Sequence, residues 1–285
     1  MLPAPRRCDM AVQECKPAPQ NSAYSLEELC PSVYAIDDRQ EESMYLVCGR
    51  ERALMIDTGS NGEPLTPLIR SLWDGPVELA LTHAHFDHMY HWDEFSEVSL
   101  HNEDIAAWNK VLRPVVWISS VGSGKKPKRY PMESCRPLRE GDTIPLGGKE
   151  LRVIHAKGHT PGSVIFADEA DRLLFTGDAF GSGSYAWMWM PGCSCLSEYR
   201  QSLRELLVKL RPYEGYAMLG GHRKQSQLPG ANPLSLSLVE DMERLCTRIL
   251  DGSCQWEAKE RNFGFTTYTY RWGQAALVLR KNKIR

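Results

Sequence analysis

The sequence predicts an α/β protein in which two β-sheets carry helices on their outer faces. Short apolar runs that are typical of strands occur in both halves of the chain, with segments of helical periodicity between them. No repeat of solenoid length interrupts this alternation. Of the 285 residues, 42% are hydrophobic and 25% are charged, an ordinary globular composition that can supply one domain with a substantial core.

The first half of the chain contains most of the predicted strands. Residues 1–24 are rich in proline and polar groups, so we expect a loosely ordered arm there and a folded domain over residues 25–285. Helical spacing marks residues 64–73 and 103–110. Compact apolar runs predict strands at Val33–Ile36, Met44–Val47, Ala53–Ile56, Val77–Leu81 and Val98–Leu100.

The second half begins with a change of character. Residues 111–140 join an apolar run to a stretch rich in glycine, lysine and proline, which indicates an insertion with a flexible tip. Helical periodicity marks residues 196–210 and 233–250. Strands are predicted at Leu151–Ile154, Ser163–Phe166 and Leu173–Phe175, and a terminal hairpin is predicted from Gly264–Tyr270 and Ala275–Leu279.

The overall charge bears on which partners the protein is expected to bind. A net charge of −2 gives no electrostatic reason to expect nucleic acid or an anionic membrane as a partner. The basic run at residues 125–129 is interpreted as a solvated loop. The N-terminus lacks the apolar stretch of a signal peptide, and no run is long enough to cross a bilayer.

The cysteines indicate a reducing, cytoplasmic environment. There are nine of them, at irregular spacing and with no CxxC pair, which does not describe a disulfide framework. Cys193 and Cys195 stand one residue apart, and soft thiolates can bind metal or oxidise. The two cysteines either have no role in a site or act as metal ligands, and the first interpretation is favoured.

The densest cluster of metal-ligand side chains follows the strand predicted at Val77–Leu81. Three histidines and an aspartate lie within six residues, as His83, His85, Asp87 and His88. Imidazole nitrogens and carboxylate oxygens are ligands that zinc and similar divalent metals prefer. Side chains at i and i+2 on an extended backbone share a side, so His83 and His85 can converge on one ion, with Asp87 and His88 displaced towards a second. The alternative is a histidine-rich surface turn, and this density of ligands favours metal.

Three further candidates lie where apolar runs meet glycine-containing turns. His159 lies in Gly-His-Thr-Pro-Gly-Ser, directly before a predicted strand. Asp178 ends Thr-Gly-Asp after the strand at Leu173–Phe175, and His222 ends Gly-Gly-His after the apolar run at 216–219. Each alone fits an ordinary turn equally well, but together they complete a coordination shell.

These motifs, in this order, resemble those of the metallo-β-lactamase-fold superfamily of binuclear metallohydrolases, and in style its glyoxalase II-like and lactonase-like branch. The resemblance runs from about residue 32 to residue 280. It implies a four-layered αβ/βα sandwich with the metals at one edge of the two sheets. It also implies two divalent metal ions, with zinc as the expected metal and iron or manganese as alternatives.

The resemblance also assigns roles to individual residues. His83, His85 and His159 would hold the first ion, and Asp178 would bridge both ions. Asp57 matches an early aspartate that supports the metal loop. The second ion would be held by Asp87, His88 and His222.

The implied chemistry is hydrolysis by a hydroxide that bridges two metals, with Asp87 and Asp178 as catalytic carboxylates. The bond would be an ester, thioester, lactone or amide of a small molecule. A phosphodiesterase of the same superfamily and a mononuclear iron sulfur-dioxygenase remain alternatives. The sequence leaves the substrate, the metal and the oligomeric state open.

The chain departs from the family pattern at two places. Residues 89–92 are bulky where many relatives have glycine, and His91 there either reaches towards the site or lies on a helix face below it. After Asp178, glycines precede Tyr185, Trp187 and Trp189, which form either a mobile aromatic wall over the metals or a packed loop. An aromatic wall would favour an apolar or aromatic substrate.

Overall fold

The computed structural model of the protein describes residues 23–182, 185–225 and 234–285. The predicted arm therefore lies outside the described residues, except for Ala23 and Tyr24. Both of these side chains are buried, and Tyr24 begins the first strand. These two residues belong to the ordered chain and not to an arm.

Seven strands form the first sheet, and they follow one another in chain order. The first four pair antiparallel and the last four pair parallel. The second, third and fourth strands are buried along their whole length, as their continuous apolar runs predict. The strands are β1 (Tyr24–Cys30), β2 (Val33–Asp38), β3 (Ser43–Cys48), β4 (Ala53–Ile56), β5 (Val77–Ala80), β6 (Val98–His101) and β7 (Arg136–Leu138).

Four helices accompany this sheet: α1 (Thr66–Leu72), α2 (Phe86–Met89), α3 (Asn102–Ala107) and α4 (Arg113–Gly122). A π-helical turn at Trp108–Leu112 joins α3 to α4. The helices cover the outer face of the sheet through apolar side chains. The segment predicted as an insertion thus contains a regular helix, and it ends in β7, the edge strand of the sheet.

The described residues of the second half form nine strands and two long helices. The helices are α5 (Leu196–Leu210) and α6 (Leu236–Leu250). The strands are β8 (Thr143–Pro145), β9 (Glu150–His155), β10 (Val164–Asp168), β11 (Leu173–Gly177), β12 (Ala186–Trp187), β13 (Ala217–Gly220), β14 (Ala258–Asn262), β15 (Phe265–Trp272) and β16 (Ala275–Leu279).

The second sheet has the order β13-β11-β10-β9-β8 and packs face to face with the first sheet. Tyr45 of the first sheet meets Phe166 and Phe175 of the second in a shared apolar core. Helices α5 and α6 cover the opposite face of the second sheet. The predicted α/β sandwich is therefore confirmed, with helix, sheet, sheet and helix in succession. None of the described helices has the length and apolar character needed to span a membrane.

A third sheet, which the sequence did not predict, extends the second half. Its order is β12-β16-β15-β14, and β15 and β16 are the predicted terminal hairpin. The short strand β12 joins β16 in parallel, although about ninety residues separate them. Tyr270 and Leu277 pack into the same core as α6. The segment after Asp178 is thereby attached to the C-terminal end of the chain.

Candidate metal centre

The seven predicted ligands meet at one edge of the two sheets. The loop after β5 supplies His83 and His85, and α2 supplies Asp87 and His88. The backbone N–H of Val164 donates to the carbonyl of Thr82 at 2.9 Å, which joins this loop to the start of β10. The remaining ligands, His159, Asp178 and His222, lie before β10, after β11 and after β13.

Three histidines converge in the first group. The distance from His83 Nε2 to His85 Nδ1 is 3.1 Å, and from His85 Nδ1 to His159 Nε2 is 2.9 Å. His159 Nδ1 donates to the carbonyl oxygen of Trp187 at 3.0 Å, which leaves the Nε2 lone pair directed at the other two rings. The ligand atoms lie within 4.8 Å of one another, as a single ion requires.

The second group contains Asp87, His88 and His222, whose ligand atoms also lie within 4.8 Å of one another. Asp178 stands between the two groups. Its Oδ2 lies 3.4 Å from His222 Nε2, 3.7 Å from His88 Nε2 and 3.7 Å from His159 Nε2. A single carboxylate oxygen therefore faces both groups.

The first group is neutral at physiological pH. Burial and, to a smaller extent, the neighbouring His159 lower the pKa of His85 to about 3. Burial also lowers the pKa of His83 and of His159. Neutral imidazoles present lone pairs and not N–H groups, which suits them to a metal ion.

The second group carries paired charges. Burial opposes ionisation of Asp178, but His222 and His88 hold its pKa well below the usual range. Conversely, burial lowers the pKa of His222, but Asp178 and Asp87 raise it to about 10. Two carboxylates thus hold positive charge on the surrounding imidazoles, at the place where a divalent cation would supply it.

Orphaned buried atoms show that a cation fits this site. Within the described chain, His88 Nε2 and Asp178 Oδ1 are buried without a hydrogen-bond partner. Such atoms usually have one, because an unsatisfied buried polar group is costly. Two groups of nitrogen and oxygen ligands with Asp178 between them match the donor set of a divalent metal centre.

Asp57 fixes the loop that carries the histidine ligand candidates. Its carboxylate accepts hydrogen bonds from the Thr82 N–H at 2.8 Å, the Thr82 hydroxyl at 2.7 Å and His88 Nδ1 at 2.9 Å. The last bond directs His88 Nε2 towards the second group. Asp57 has a φ of 59°, an uncommon conformation that tertiary contacts must stabilise.

Asp104 is a buried residue of the site that sequence reasoning missed. Its carboxylate accepts from the backbone of Ala84 at 2.9 Å, the hydroxyl of Thr160 at 2.9 Å and the backbone of Gly162 at 2.6 Å. Ala84 lies between two first-group histidines, and Thr160 follows the third. Asp104 thus fixes both ligand loops relative to each other, and its place in α3 gave no local signal of this role.

The metal centre opens into a cavity of about 340 Å³. Tyr185, Trp187 and Trp189 all line it. Trp187 is 42% exposed, whereas Trp189 is buried and contacts Trp187 and Phe263 at ring-centroid distances of 6.1 Å. Arg271 donates to the hydroxyl of Tyr185.

Sequence reasoning missed several other lining residues. Ser119, Ser123 and Lys125 reach the cavity from the segment predicted as an insertion, and Phe263 reaches it from the C-terminal sheet. Glu42 also lines it; burial and a hydrogen bond with Asp38 raise its pKa to about 9, so this carboxyl is neutral at pH 7. These residues are distant in sequence, and only folding brings them together.

Three residues left open by the sequence lie outside the ligand groups. His91 is buried between Glu94, at 2.7 Å, and the carbonyl of Asn61, at 2.7 Å, so it is a packed residue below the site. Cys193 is buried, and its thiol contacts the carbonyl of Trp187. Cys195 precedes the first residue of α5 as its N-cap. Among the described residues, neither cysteine belongs to a group that could hold a metal ion.

Comparison with known proteins identifies the family. The model of the metallo-beta-lactamase superfamily matches residues 38–222, which is more than half of the chain and includes all seven ligand candidates. The chain belongs to this superfamily. It is a hydrolase of the superfamily with a candidate site for divalent metals.

Several curated relatives carry named activities. The chain is 32% identical over 212 residues to the acyl-coenzyme A thioesterase MBLAC2 of Gallus gallus, covering 65% of this chain and 75% of that protein. It is 24% identical over 178 residues to the hydroxyacylglutathione hydrolase GloC of Haemophilus influenzae, covering 60% of this chain and 80% of that protein.

A solved structure shows the same fold. An archaeal metallo-beta-lactamase superfamily protein from Sulfolobus tokodaii superposes with a TM-score of 0.54 at 17% identity. The match covers 82% of this chain and 93% of that protein. The chain therefore has the α/β metallo-beta-lactamase sandwich fold that its motifs implied.

Proposed function

We propose that the protein is a two-metal thioesterase that hydrolyses the acyl thioesters of small molecules. The observation that carries the proposal is the position of Asp178, whose carboxylate faces both ligand groups at the floor of an aromatic cavity. An acyl-coenzyme A and a hydroxyacylglutathione are both thioesters, so the two named relatives support this bond over the other candidates.

Each ligand group has a distinct task in this proposal. His83, His85 and His159 would hold one ion, Asp178 would contribute to both sites, and Asp57 fixes His88. Asp87, His88 and His222 would hold the second ion. Two zinc ions, which suit this nitrogen-rich donor set, would polarise the acyl carbonyl and supply a water of lowered pKa.

The leaving group also favours a thioester. A thiol has a pKa of about 8.5, so a thiolate can leave near neutral pH without prior protonation. An amide nitrogen must receive a proton as it leaves, and this demands a well-placed acid. As a metal ligand, Asp178 would be ionised and could not donate this proton.

The aromatic wall would orient the substrate in the cavity. Trp187 and Phe263 line the cavity together with His159, and both side chains are partly exposed. An apolar acyl group placed against these rings buries hydrocarbon surface, and its carbonyl then points to the ligand groups. The thiol portion would extend towards solvent past Lys125.

A substrate panel with metal analysis tests the proposal. The purified protein is expected to contain two zinc ions per chain and to hydrolyse acyl thioesters at least tenfold faster than matched oxyesters, lactones, β-lactams and phosphodiesters. Asp178→Asn should lower kcat/KM at least about a hundredfold, more than outer-shell changes usually do. Asp74→Asn, which changes an exposed carboxylate that does not line the cavity, serves as the control.

Three outcomes would contradict the proposal. One iron per chain with oxidation of a sulfur substrate would indicate a mononuclear dioxygenase. Preference for a phosphodiester would indicate the nuclease-like chemistry of the superfamily. Full thioesterase activity in Asp178→Asn would refute the assignment of the site.

We also propose a cytoplasmic location. All seven cysteines in the described part of the chain are free, although Cys193 and Cys195 are close in sequence. Thiol counting on protein trapped with acid directly from cells should find them reduced. Disulfide-bonded protein in that assay would contradict this location.

A further inference from the structure

The segment that includes α4 has an unusual charge composition. Residues 105–132 contain six lysines and arginines and no aspartate or glutamate. The whole chain has a net charge of −2, so the remainder is acidic overall and the net value conceals this basic segment. The expectation that the protein has no anionic membrane as a partner was drawn from the net charge, which does not reflect this local segment.

Helix α4 turns apolar side chains outwards. Val115 and Val116 are buried beneath it, whereas Trp117, Ile118 and Val121 are 56%, 51% and 49% exposed. Isolated exposed apolar residues are normal, but a contiguous group on one helix face marks an interaction surface. The helix is thus apolar on its solvent side as well as on its core side.

Phe263 continues this face from the other side of the cavity. Its side chain is 60% exposed, and its ring lies against Gly122 at the end of α4, where a Cβ atom would come within 2.9 Å of the ring. We define the apolar rim as Trp117, Ile118, Val121 and Phe263. The rim adjoins the cavity mouth, because Ser119 of α4 and Phe263 itself line the cavity.

Unpaired cations flank the rim. Lys128 pairs with Asp93 at 2.7 Å, and Arg129 pairs with Glu133 at 3.4 Å. Lys125 and Lys126, directly after α4, form no ion pair with any residue that the structure describes, and the same is true of Lys110 and Arg113 before and at the start of α4. Positive charge therefore borders apolar surface at both ends of the helix.

We propose that the apolar rim docks on an anionic lipid surface. Exposed tryptophan, phenylalanine, isoleucine and valine side chains enter the boundary between headgroups and acyl chains, while lysines beside them contact lipid phosphates. The charge complementarity also disfavours a second copy of this chain as the occupant. A two-fold contact through the rim would bring the unpaired lysines of both copies together.

Lipid docking through the apolar rim would bring the proposed thioesterase to its substrates. The biological use of the rim therefore rests on the proposed function. Long-chain acyl thioesters are amphiphiles that concentrate at membranes, and the rim would place the cavity mouth at that surface. Lipid binding itself is measured without any thioesterase assay, so the failure of either proposal is distinguishable from failure of the other.

Vesicle sedimentation of the metal-loaded protein tests the docking. Vesicles of phosphatidylcholine with phosphatidylserine should bind the protein, and vesicles of phosphatidylcholine alone should bind it much more weakly. Lys125→Gln/Lys126→Gln should weaken binding about 25-fold, since each cation near an anionic surface contributes about fivefold. Trp117→Ser/Ile118→Ser should weaken it at least tenfold. Val208→Ser, which changes a 74% exposed side chain on α5, should bind as the parent does.

Circular dichroism and metal content establish that each variant is folded. Absence of sedimentation with phosphatidylserine vesicles would overturn the proposal, and so would equal binding by all variants. Light scattering tests whether a second copy of the chain occupies the rim instead. A dimer that the Trp117→Ser/Ile118→Ser variant abolishes would assign the rim to that copy and overturn lipid docking.

Discussion

Asp104 shows how one buried carboxylate can hold two ligand loops. Its three donors come from Ala84, Thr160 and Gly162, so every bond crosses from α3 to a loop that carries a metal-ligand candidate. The oxygens accept and the loops donate, and no other residue type of this size offers two acceptor oxygens. Its contribution is therefore one of position rather than chemistry.

Asp104→Asn should loosen both loops, because the amide nitrogen would face donors that now have an acceptor. We expect unfolding free energy to fall by about 1–3 kcal/mol and metal affinity to fall about 10–100-fold. Urea unfolding and competition with a chelating dye measure these effects. Glu103→Gln, at a partly exposed neighbour paired with Lys157, should change neither, and equal effects of the two substitutions would contradict the role of Asp104.

His222 gives the metal-free protein a defined pH dependence. Burial opposes its charge, but Asp178 and Asp87 raise its pKa to about 10, while the unfolded chain releases the proton near 6.5. The folded state thus binds more protons between these values. Its contribution to stability is fully present below pH 6.5 and is lost as the pH rises towards 10.

Urea unfolding in a chelator should therefore show stability declining above pH 6.5, by at most about 1.4 kcal/mol per pH unit for this single proton. His222→Gln should flatten the decline, although His88, whose pKa is also raised, retains part of it. With metal in excess the dependence should reverse, because protons compete with the ion for the same side chains. A metal-free protein that becomes more stable above pH 6.5 would contradict this account.

At the scale of the element, the β14–β15 hairpin is strained where it meets the cavity. Phe263 and Gly264 form its two-residue turn, with φ values of 46° and 83°. Such turns favour asparagine and glycine, and a phenylalanine at positive φ is uncommon. A bulky ring in this position is consistent with a role in binding, because strain of this kind collects at functional sites.

Phe263→Asn should stabilise the fold and weaken the binding of long acyl chains. Asparagine tolerates the left-handed conformation, so unfolding free energy should rise, by up to about 1 kcal/mol. The cavity loses an aromatic wall, so kcat/KM for long-chain acyl thioesters should fall more than for short-chain ones. Trp256→Asn removes an aromatic side chain of similar exposure outside the cavity and should leave this chain-length preference unchanged. An unchanged preference in Phe263→Asn would exclude the ring from substrate binding.

At the scale of the whole molecule, Arg223 ties the last ligand to the first sheet. Its buried guanidinium donates to both oxygens of Asp37, at 2.8 Å and 2.6 Å, and to Glu27 at 2.6 Å. His222 directly precedes it in the chain. The two halves of the sandwich are thus joined beside the second ligand group, where the backbone of Ser43 also donates to Gly221.

Asp37→Asn should remove the buried charge partner of Arg223 and leave only the half-exposed Glu27, at a cost of up to about 3–5 kcal/mol in unfolding free energy. The second metal equivalent should bind more weakly than the first, because His222 loses its anchor. Lys224→Gln, at a half-exposed side chain 3.6 Å from the same carboxylate, should cost less than about 1 kcal/mol. Calorimetric metal titration and urea unfolding separate the two effects, and equal losses at both metal sites would argue against a local anchor.

The sequence predicted the elements that have strong local signals. The buried strands β2 to β4 are continuous apolar runs, and α5 begins and ends where its periodicity predicts. Strand β14 was missed because its residues, Ala-Lys-Glu-Arg-Asn, are mostly exposed at a sheet edge and carry no apolar pattern. Helix α4 was not predicted because it is short and the glycines, lysines and prolines next to it are typical of a loop.

The ligand candidates were determined by the sequence alone, because each lies next to a strand end and the histidine segment is compact. Whether they meet was decided by the tertiary structure, which brings His222 and Asp178 to 3.4 Å although the chain between them is long. The positions of Asp104, Phe263 and α4 around the site were likewise decided only by folding. Local periodicity specifies a strand from its own residues, but a cavity is formed by contacts between distant segments, and no single segment contains that information.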